Sequence, residues 1–342
     1  MARPSNPSAG RRSRTPPRIG LVVAFARLAR AERDAIELAW DAATSSLRRW
    51  KPGFVHVGTR AVPADSPRAD LIVYLGESSR FRDVAGAAAR STPVMLVKST
   101  VEELLERPPD TPPRYRMCTG VNGIGHALAA AVPRVPSVDW TTLPWPRALA
   151  PWTTLGAAEQ SYVETSVAAF RAAAARRGIP WRAGPPARRQ PFSVFLTMHD
   201  PAAATLAEAA LELWPQCTVL TADGMVATHA PSGRPWPSRV LRVRHWSPHS
   251  RSRTCRLFRA ALAGRRVPDF DSAGMLFGTL VFLDFAFGTG AESSCLQGAG
   301  ARSGPLGLMR LTAAGRPQPE RLVVFRGEEP RVVTVRDPRG RA

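Results

Sequence analysis

Leu71 to Val97 limits the possible folds of this chain more than any other stretch. It reads Leu71-Ile72-Val73-Tyr74-Leu75, then Gly76-Glu77-Ser78-Ser79, then an alanine-rich run, then Pro93-Val94-Met95-Leu96-Val97. A short apolar run bounded by turn residues is the pattern of a strand buried on both faces. Gly76 permits a tight turn, and Ser78 or Ser79 can cap a following helix. The second apolar run then reads as the next parallel strand. This arrangement gathers backbone N–H groups and hydroxyls at a strand's carboxyl end, where open α/β sheets bind ligands and where anions are favoured. An ordinary β-α-β crossover with a serine cap accounts for the same residues.

The remainder of the chain repeats this alternation. Ile19 to Phe25 reads as a strand, and Ala29 to Trp50 as a helix with Ile36, Ala39, Trp40, Ala43 and Leu47 on one face. Lys51-Pro52-Gly53 is expected to end that helix, with a strand from Phe54 to Val57. Further on come a short helix at Val101 to Glu106, a strand at Arg114 to Thr119 and a helix at Gly125 to Val132. Pro133 to Pro151 carries five prolines with Trp140 and Trp145, and reads as an irregular domain crossover without a strand. Helices are expected at Gln160–Arg177, Ala202–Leu213, Thr254–Leu262 and Asp271–Gly288. Strands are expected at Phe192–Leu196, Thr218–Thr221 and Leu241–His245, with an extended segment from Ile179 to Trp181. Gly304–Leu311 and Arg321–Phe325 read as a closing strand pair turning at Ala313-Ala314-Gly315, and Val332–Val335 as an edge strand. Alternating elements in two successive halves predict two α/β domains with mostly parallel sheets.

Charge narrows the function less than its size suggests. The net charge is +20 and the pI about 11.5, values that usually point to a polyanionic partner. Only Lys51 and Lys98 are lysines, and the arginines are scattered along the chain. That skew, with the alanine and proline richness, matches GC-rich coding bias, so nucleic acid is not expected as the main partner. The thiols Cys118, Cys217, Cys255 and Cys295 lack zinc spacing and read as small core residues. Met1 to Pro17 has positive charge but no apolar region before Ile19. It reads as a disordered basic tail rather than a secretory signal. The apolar run Ala273–Gly288 is interrupted by Asp284 and reads as a buried helix rather than a membrane span.

Other chemistry-bearing clusters are weak. His245 and His249 are four apart, but Pro248 between them argues against a helical metal pair. His199-Asp200 follows a strand and can touch ligand, although Asp200 before Pro201 also suits a helix start. Gly120-Val121-Asn122-Gly123-Ile124-Gly125 lacks a phosphate-loop pattern and reads as a loop opening a helix. Ser293-Ser294-Cys295 has no nucleophile-elbow glycines. No metal, cofactor or catalytic residue is expected.

Taken in order, these segments resemble the type I periplasmic-binding-protein superfamily, nearest to its leucine/branched-chain amino-acid-binding branch of ABC-transporter receptors. The resemblance rests on Gly76-Glu77-Ser78-Ser79 with Pro93 to Thr100 and Pro112 to Arg116. It also rests on the helix Tyr162 to Ile179, and on His245 to Gly315 with Trp246-Ser247-Pro248 and Gly304-Pro305-Leu306-Gly307. It spans most of residues 19 to 335, with a shortened stretch after the first helix. What it implies is two Rossmann-like lobes joined by a multi-strand hinge and closing on a small ligand. Lobe one would comprise 18–137 and 245–300, and lobe two 138–244 and 301–342. By position, Ser78, Ser79, Ser99 and Thr100 would hold a ligand carboxylate, with Tyr162 and Asp223 facing it from lobe two and Asp223 suited to an ammonium. The implied activity is non-enzymatic binding of an amino acid, amide or similar polar metabolite. The partner would be an ABC permease or a regulatory protein, and the location the periplasm, or the cytoplasm if the N-terminus is complete. A cytoplasmic sensor of the same fold and an α/β enzyme using the same crevice stay open as alternatives. Tyr162 as a core residue and Asp223 as a turn former before Gly224 also stay open.

Overall fold

A computed structural model of the chain describes residues 15–25, 28–106, 110–155, 157–185, 190–225 and 227–335. The expected disordered tail lies outside the described residues over positions 1–14. The first sheet is built from β1 (Arg18–Ala24), β2 (Lys51–Val57), β3 (Leu71–Gly76), β4 (Val94–Leu96) and β5 (Arg114–Arg116). These are all parallel, in the order β2-β1-β3-β4-β5. Helix α1 (Arg30–Ser46) joins β1 to β2, and the short α2 (Phe81–Ala85) lies between β3 and β4. All six residues of β3 are buried. Leu71, Val73 and Leu75 feed the core on one face, and Ile72 and Tyr74 the core on the other with Phe81 and Val84. Each aliphatic side chain buried this way contributes roughly 1.5–3 kcal/mol.

The chain continues through α3 (Val121–Ala131), β6 (Ser137–Asp139), α4 (Ala150–Thr153), α5 (Ala157–Arg176), β7 (Trp181–Arg182), β8 (Phe192–Leu196), α6 (Ala202–Leu213), β9 (Cys217–Thr221) and β10 (Val240–Arg244). Then come α7 (Arg253–Ala261), α8 (Asp271–Gly288), β11 (Arg302–Gly304), β12 (Gly307–Leu311), β13 (Pro317–Gln318), β14 (Arg321–Arg326) and β15 (Glu329–Thr334). The second sheet runs β15-β14-β10-β9-β8-β6-β7, parallel except for β14, which is antiparallel to both its neighbours, β10 and β15. Helices α3 and α5 cover one face of it, where Ile124, Leu128 and Phe170 share a core with Phe195 of β8, and α6 with Trp140 covers the other. Helices α7 and α8 return to the first sheet: Phe258, Leu276 and Leu280 share a core with Leu21, Val73 and Ile36.

Helix α8 is apolar all round because it is buried all round. It is the only described helix long and apolar enough to cross a membrane, and 83% of it is inside the protein. Its one interrupting charge has a purpose. Asp284 Oδ1 accepts hydrogen bonds from the N–H groups of Arg48 and Arg49, at 3.1 and 2.8 Å, and so ties the chain after α1 to α8.

Several expectations need correction. Lys51-Pro52-Gly53 does not end a helix. It begins β2, where Pro52 is tolerated because β2 is a sheet edge. The helix expected from Gly125 starts four residues earlier, at Val121, with Gly120 as the extended residue before it. A Cβ on Gly125 would lie 2.9 Å from the Ala169 backbone, so the glycine serves the close crossing of α3 on α5. Pro133 to Pro151 contains β6, which pairs with β7 and β8 inside the second sheet. Three residues flanked by prolines carry no period to read. The pairing of Gly304–Leu311 with Arg321–Phe325 does not occur: β12 pairs with β11 and β13, whereas β14 pairs with β10 and β15. Neither Ser78 nor Ser79 caps a helix. A 3₁₀ turn, Ser78–Arg80, follows Glu77 without a side-chain cap. Pro201 precedes the first residue of α6, and Asp200 Oδ2 accepts instead from the Ala227 N–H at 2.6 Å. Cys118, Cys217 and Cys255 are buried, but Cys295 is exposed.

Candidate functional site

The carboxyl ends of β4, β9 and β10 deliver Lys98, Asp223 and His245 to one buried cluster. Asp223 is its centre and is 9% exposed. The Tyr162 hydroxyl, carried on α5, donates to Asp223 Oδ1 at 2.5 Å. His245 Nε2 lies 3.2 Å from Asp223 Oδ2 and must donate, because an ionised carboxylate only accepts. The other ring nitrogen, Nδ1, is buried without a hydrogen-bond partner among the described residues. Burial alone would raise the Asp223 carboxyl. The hydrogen bond and charge of His245, the Tyr162 hydroxyl and the Lys98 ammonium outweigh it and hold the group well below the usual carboxylate range. Burial and the neighbouring Asp223 charge push the Tyr162 phenol well above its ordinary value, so it stays a neutral donor. Its ring stacks on His199 with centroids 5.0 Å apart.

Lys98 extends the cluster into the first sheet. Its Nζ is 3.3 Å from Asp271 Oδ2, with both side chains at 10% exposure or less. Burial opposes the ammonium, but Asp271, Glu32 and Asp223 together raise its proton affinity. Asp271, in the first turn of α8, also accepts the Trp246 N–H at 2.6 Å. Ser272 donates to Glu32 at 2.7 Å and ties α8 to α1. The cluster therefore alternates acid and base from α1 and β4 through α8 to β10, β9 and α5.

The six sequence-predicted residues fall into three groups. Tyr162 and Asp223 are brought into direct contact. Ser99 and Thr100 follow Lys98 and are buried. The Ser99 hydroxyl donates to the Gly76 carbonyl at 3.2 Å, and the Thr100 carbonyl accepts from Arg116 at 3.3 Å. Ser78 is half-buried and Ser79 exposed on the turn after β3. The Ser99–Gly76 bond joins the two serine segments at the ends of β3 and β4.

Lys98, His245 and Asp271 were missed. Lys98 had a signal: it is one of two lysines among 47 basic residues and directly precedes Ser99-Thr100. His245 was weighed only as a partner for His249, whereas the fold turns it to Asp223.

No family model and no curated protein matches the sequence. Solved structures match over nearly the whole chain. A leucine-binding protein LivK from Thermotoga maritima is 13% identical, with a TM-score of 0.65 over 94% of this chain and 99% of that one. A branched-chain amino acid transporter substrate-binding protein LivJ from Streptococcus pneumoniae, in complex with isoleucine, is 10% identical. Its TM-score is 0.65 over 92% of this chain and 99% of that one. A solute-binding protein of an ABC transporter from R. palustris, in complex with benzoate, is 16% identical, with a TM-score of 0.63 over 93% and 95%. The fold is that of the type I periplasmic-binding proteins. Lys98 follows the carboxyl end of β4 in the first sheet, and Asp223 and His245 follow those of β9 and β10 in the second.

Proposed function

We propose that this chain is a non-enzymatic receptor that holds a small polar metabolite, an amino acid, amide or related acid, between two lobes. The observation that carries the reading is the Tyr162–Asp223–His245 cluster at the carboxyl ends of β9 and β10, with Lys98 reaching it from β4. Such strand ends are where open α/β sheets recognise ligands. Lobe one is the first sheet with α1, α7, α8 and the β11–β13 sheet; lobe two is the second sheet with α3, α5 and α6. Packing supports this division, since Met309 and Leu311 share the core of Leu276, and Leu128 that of Phe170. In this reading the crossings lie near 119, 245 and 318, where the sequence suggests 137, 245 and 301. Those crossings are tied to one another: Arg116 lies 4.0 Å from Glu320, and Thr119 donates to the Arg321 carbonyl at 3.0 Å.

Ser78, Ser79, Ser99 and Thr100 are the lobe-one rim in this reading, and Tyr162 and Asp223 the lobe-two rim. An ABC permease or a regulatory protein is the partner that a closing receptor of this kind would signal to. Differential scanning fluorimetry of the purified chain against amino acids, amides and organic acids tests it. A ligand at a hundred times its Kd stabilises by about 2.7 kcal/mol, a clear rise in melting temperature. A panel in which no compound raises the transition would sink the receptor reading.

A further inference from the structure

An arginine-rich cavity is lined by none of the residues of the cluster around Asp223. From Gly224 to Pro268 the chain has ten arginines and no acidic residue. Several of them come together at the carboxyl end of α7, around a cavity of about 450 Å³ lined by Pro248, His249, Arg259, Arg265, Arg266 and Asp269. The turn that positions them passes through Ala263 at φ 49° and Gly264 at φ 83°, two successive left-handed residues. Three guanidinium groups and an imidazole therefore share one concavity, and all four residues are exposed to solvent.

Their own engagements are few. Arg259 donates through one Nη2 to the Pro248 carbonyl at 3.0 Å and approaches Cys255 Sγ at 3.5 Å. No ion pair joins Arg265 or Arg266 to an acidic group among the described residues. The one carboxylate on the wall, Asp269, lies 3.4 Å from Arg244 and is balanced by it. The cavity thus carries a local excess of about three positive charges. A lone carboxylate would satisfy one fork; an oxyanion with three terminal oxygens and close to two charges can accept from several forks at once.

We infer that this pocket binds a phosphate group. The phosphate can come from a soluble phosphate ester or from an anionic phospholipid headgroup, and two measurements on the full chain separate these sources. Calorimetric titration with inorganic phosphate, at constant ionic strength set with chloride, reads the soluble source. Sedimentation with phosphatidylglycerol vesicles against phosphatidylcholine vesicles reads the membrane source. The variant Arg265→Gln/Arg266→Gln removes two of the three forks without touching a core. The control variant Arg147→Gln/Arg177→Gln removes the same charge from exposed positions elsewhere. The expected result is phosphate or phosphatidylglycerol binding that weakens at least tenfold in the first variant and less than twofold in the control. Binding of neither probe, or equal weakening in both variants, would overturn the inference, because the arginines would then be only a diffuse positive field.

Discussion

At the scale of single residues, the balance around Asp223 decides what the chain can hold. Asp223→Asn keeps the shape but removes the charge that Tyr162, His245 and Lys98 face. A hydrogen bond to a charged group contributes about 1.5–3 kcal/mol, and its loss leaves Lys98 and His245 under-compensated. The variant is expected to lose affinity for any stabilising ligand by tenfold or more while losing about 1–3 kcal/mol of stability, read by urea denaturation and calorimetric titration. Unchanged affinity would place the ligand elsewhere. Lys98→Met is expected to cost more. Breaking one partner of a buried pair strands the other, typically at about 3–5 kcal/mol, and here the stranded carboxylate is Asp271, whose side chain is 2% exposed. Adding Asp271→Asn to Lys98→Met should recover part of that loss, because the amide still accepts the Trp246 N–H. Failure of the second change to recover stability would show that Lys98 acts mainly through Asp223.

Elements were legible where their burial left a period or a long run. Helix α8 and strand β8 fall where the sequence placed them, because eighteen apolar-rich residues and five fully buried ones each admit one reading. Strand β6 left no such trace, and β14 was legible as a strand but not in its pairing, since its partner β10 lies about eighty residues away. Glycines inside helices were equally silent on packing. Gly274 is the clearest case: a Cβ there would stand 1.9 Å from the ring of Trp246, which is itself 1% exposed against Phe258. Two effects compete in Gly274→Ala. Helix propensity favours alanine by about 1 kcal/mol, while overpacking a filled core costs about 1–3 kcal/mol or more. The clash involves a bulky ring with nowhere to move, so a net loss of about 1–2 kcal/mol is expected in denaturant midpoints. A gain would mean that Trp246 can swing aside.

Over the whole molecule, the order of strands and helices was readable, and with it the fold, because buried parallel strands and their crossovers are dictated by local pattern. The site was readable only in part. Tyr162 and Asp223 came only from the family resemblance, and their convergence on His245 and Lys98 depends on two sheets meeting, which no local pattern encodes. The same deep burial sets a global pH response. Burial raises the Cys118 and Cys217 thiols from 9.0 to about 12, so the folded chain holds these protons more tightly than the unfolded one. Their contribution is fully present below pH 9 and is lost as pH climbs towards 12. Lys98, raised above its ordinary 10.5, adds to the loss at the upper end of that window. Asp223, held low, acts at the opposite end, where its contribution disappears as pH falls below the ordinary 3.8. The melting temperature is therefore expected to be level across neutral pH and to fall above pH 9. In Cys118→Ala/Cys217→Ala that alkaline fall should begin later and be shallower, even though the variant starts from lower stability because two buried side chains are truncated. An unchanged alkaline slope in the variant would mean that the thiols reach solvent before they ionise, and that the cores around β5 and β9 open locally rather than with the whole fold.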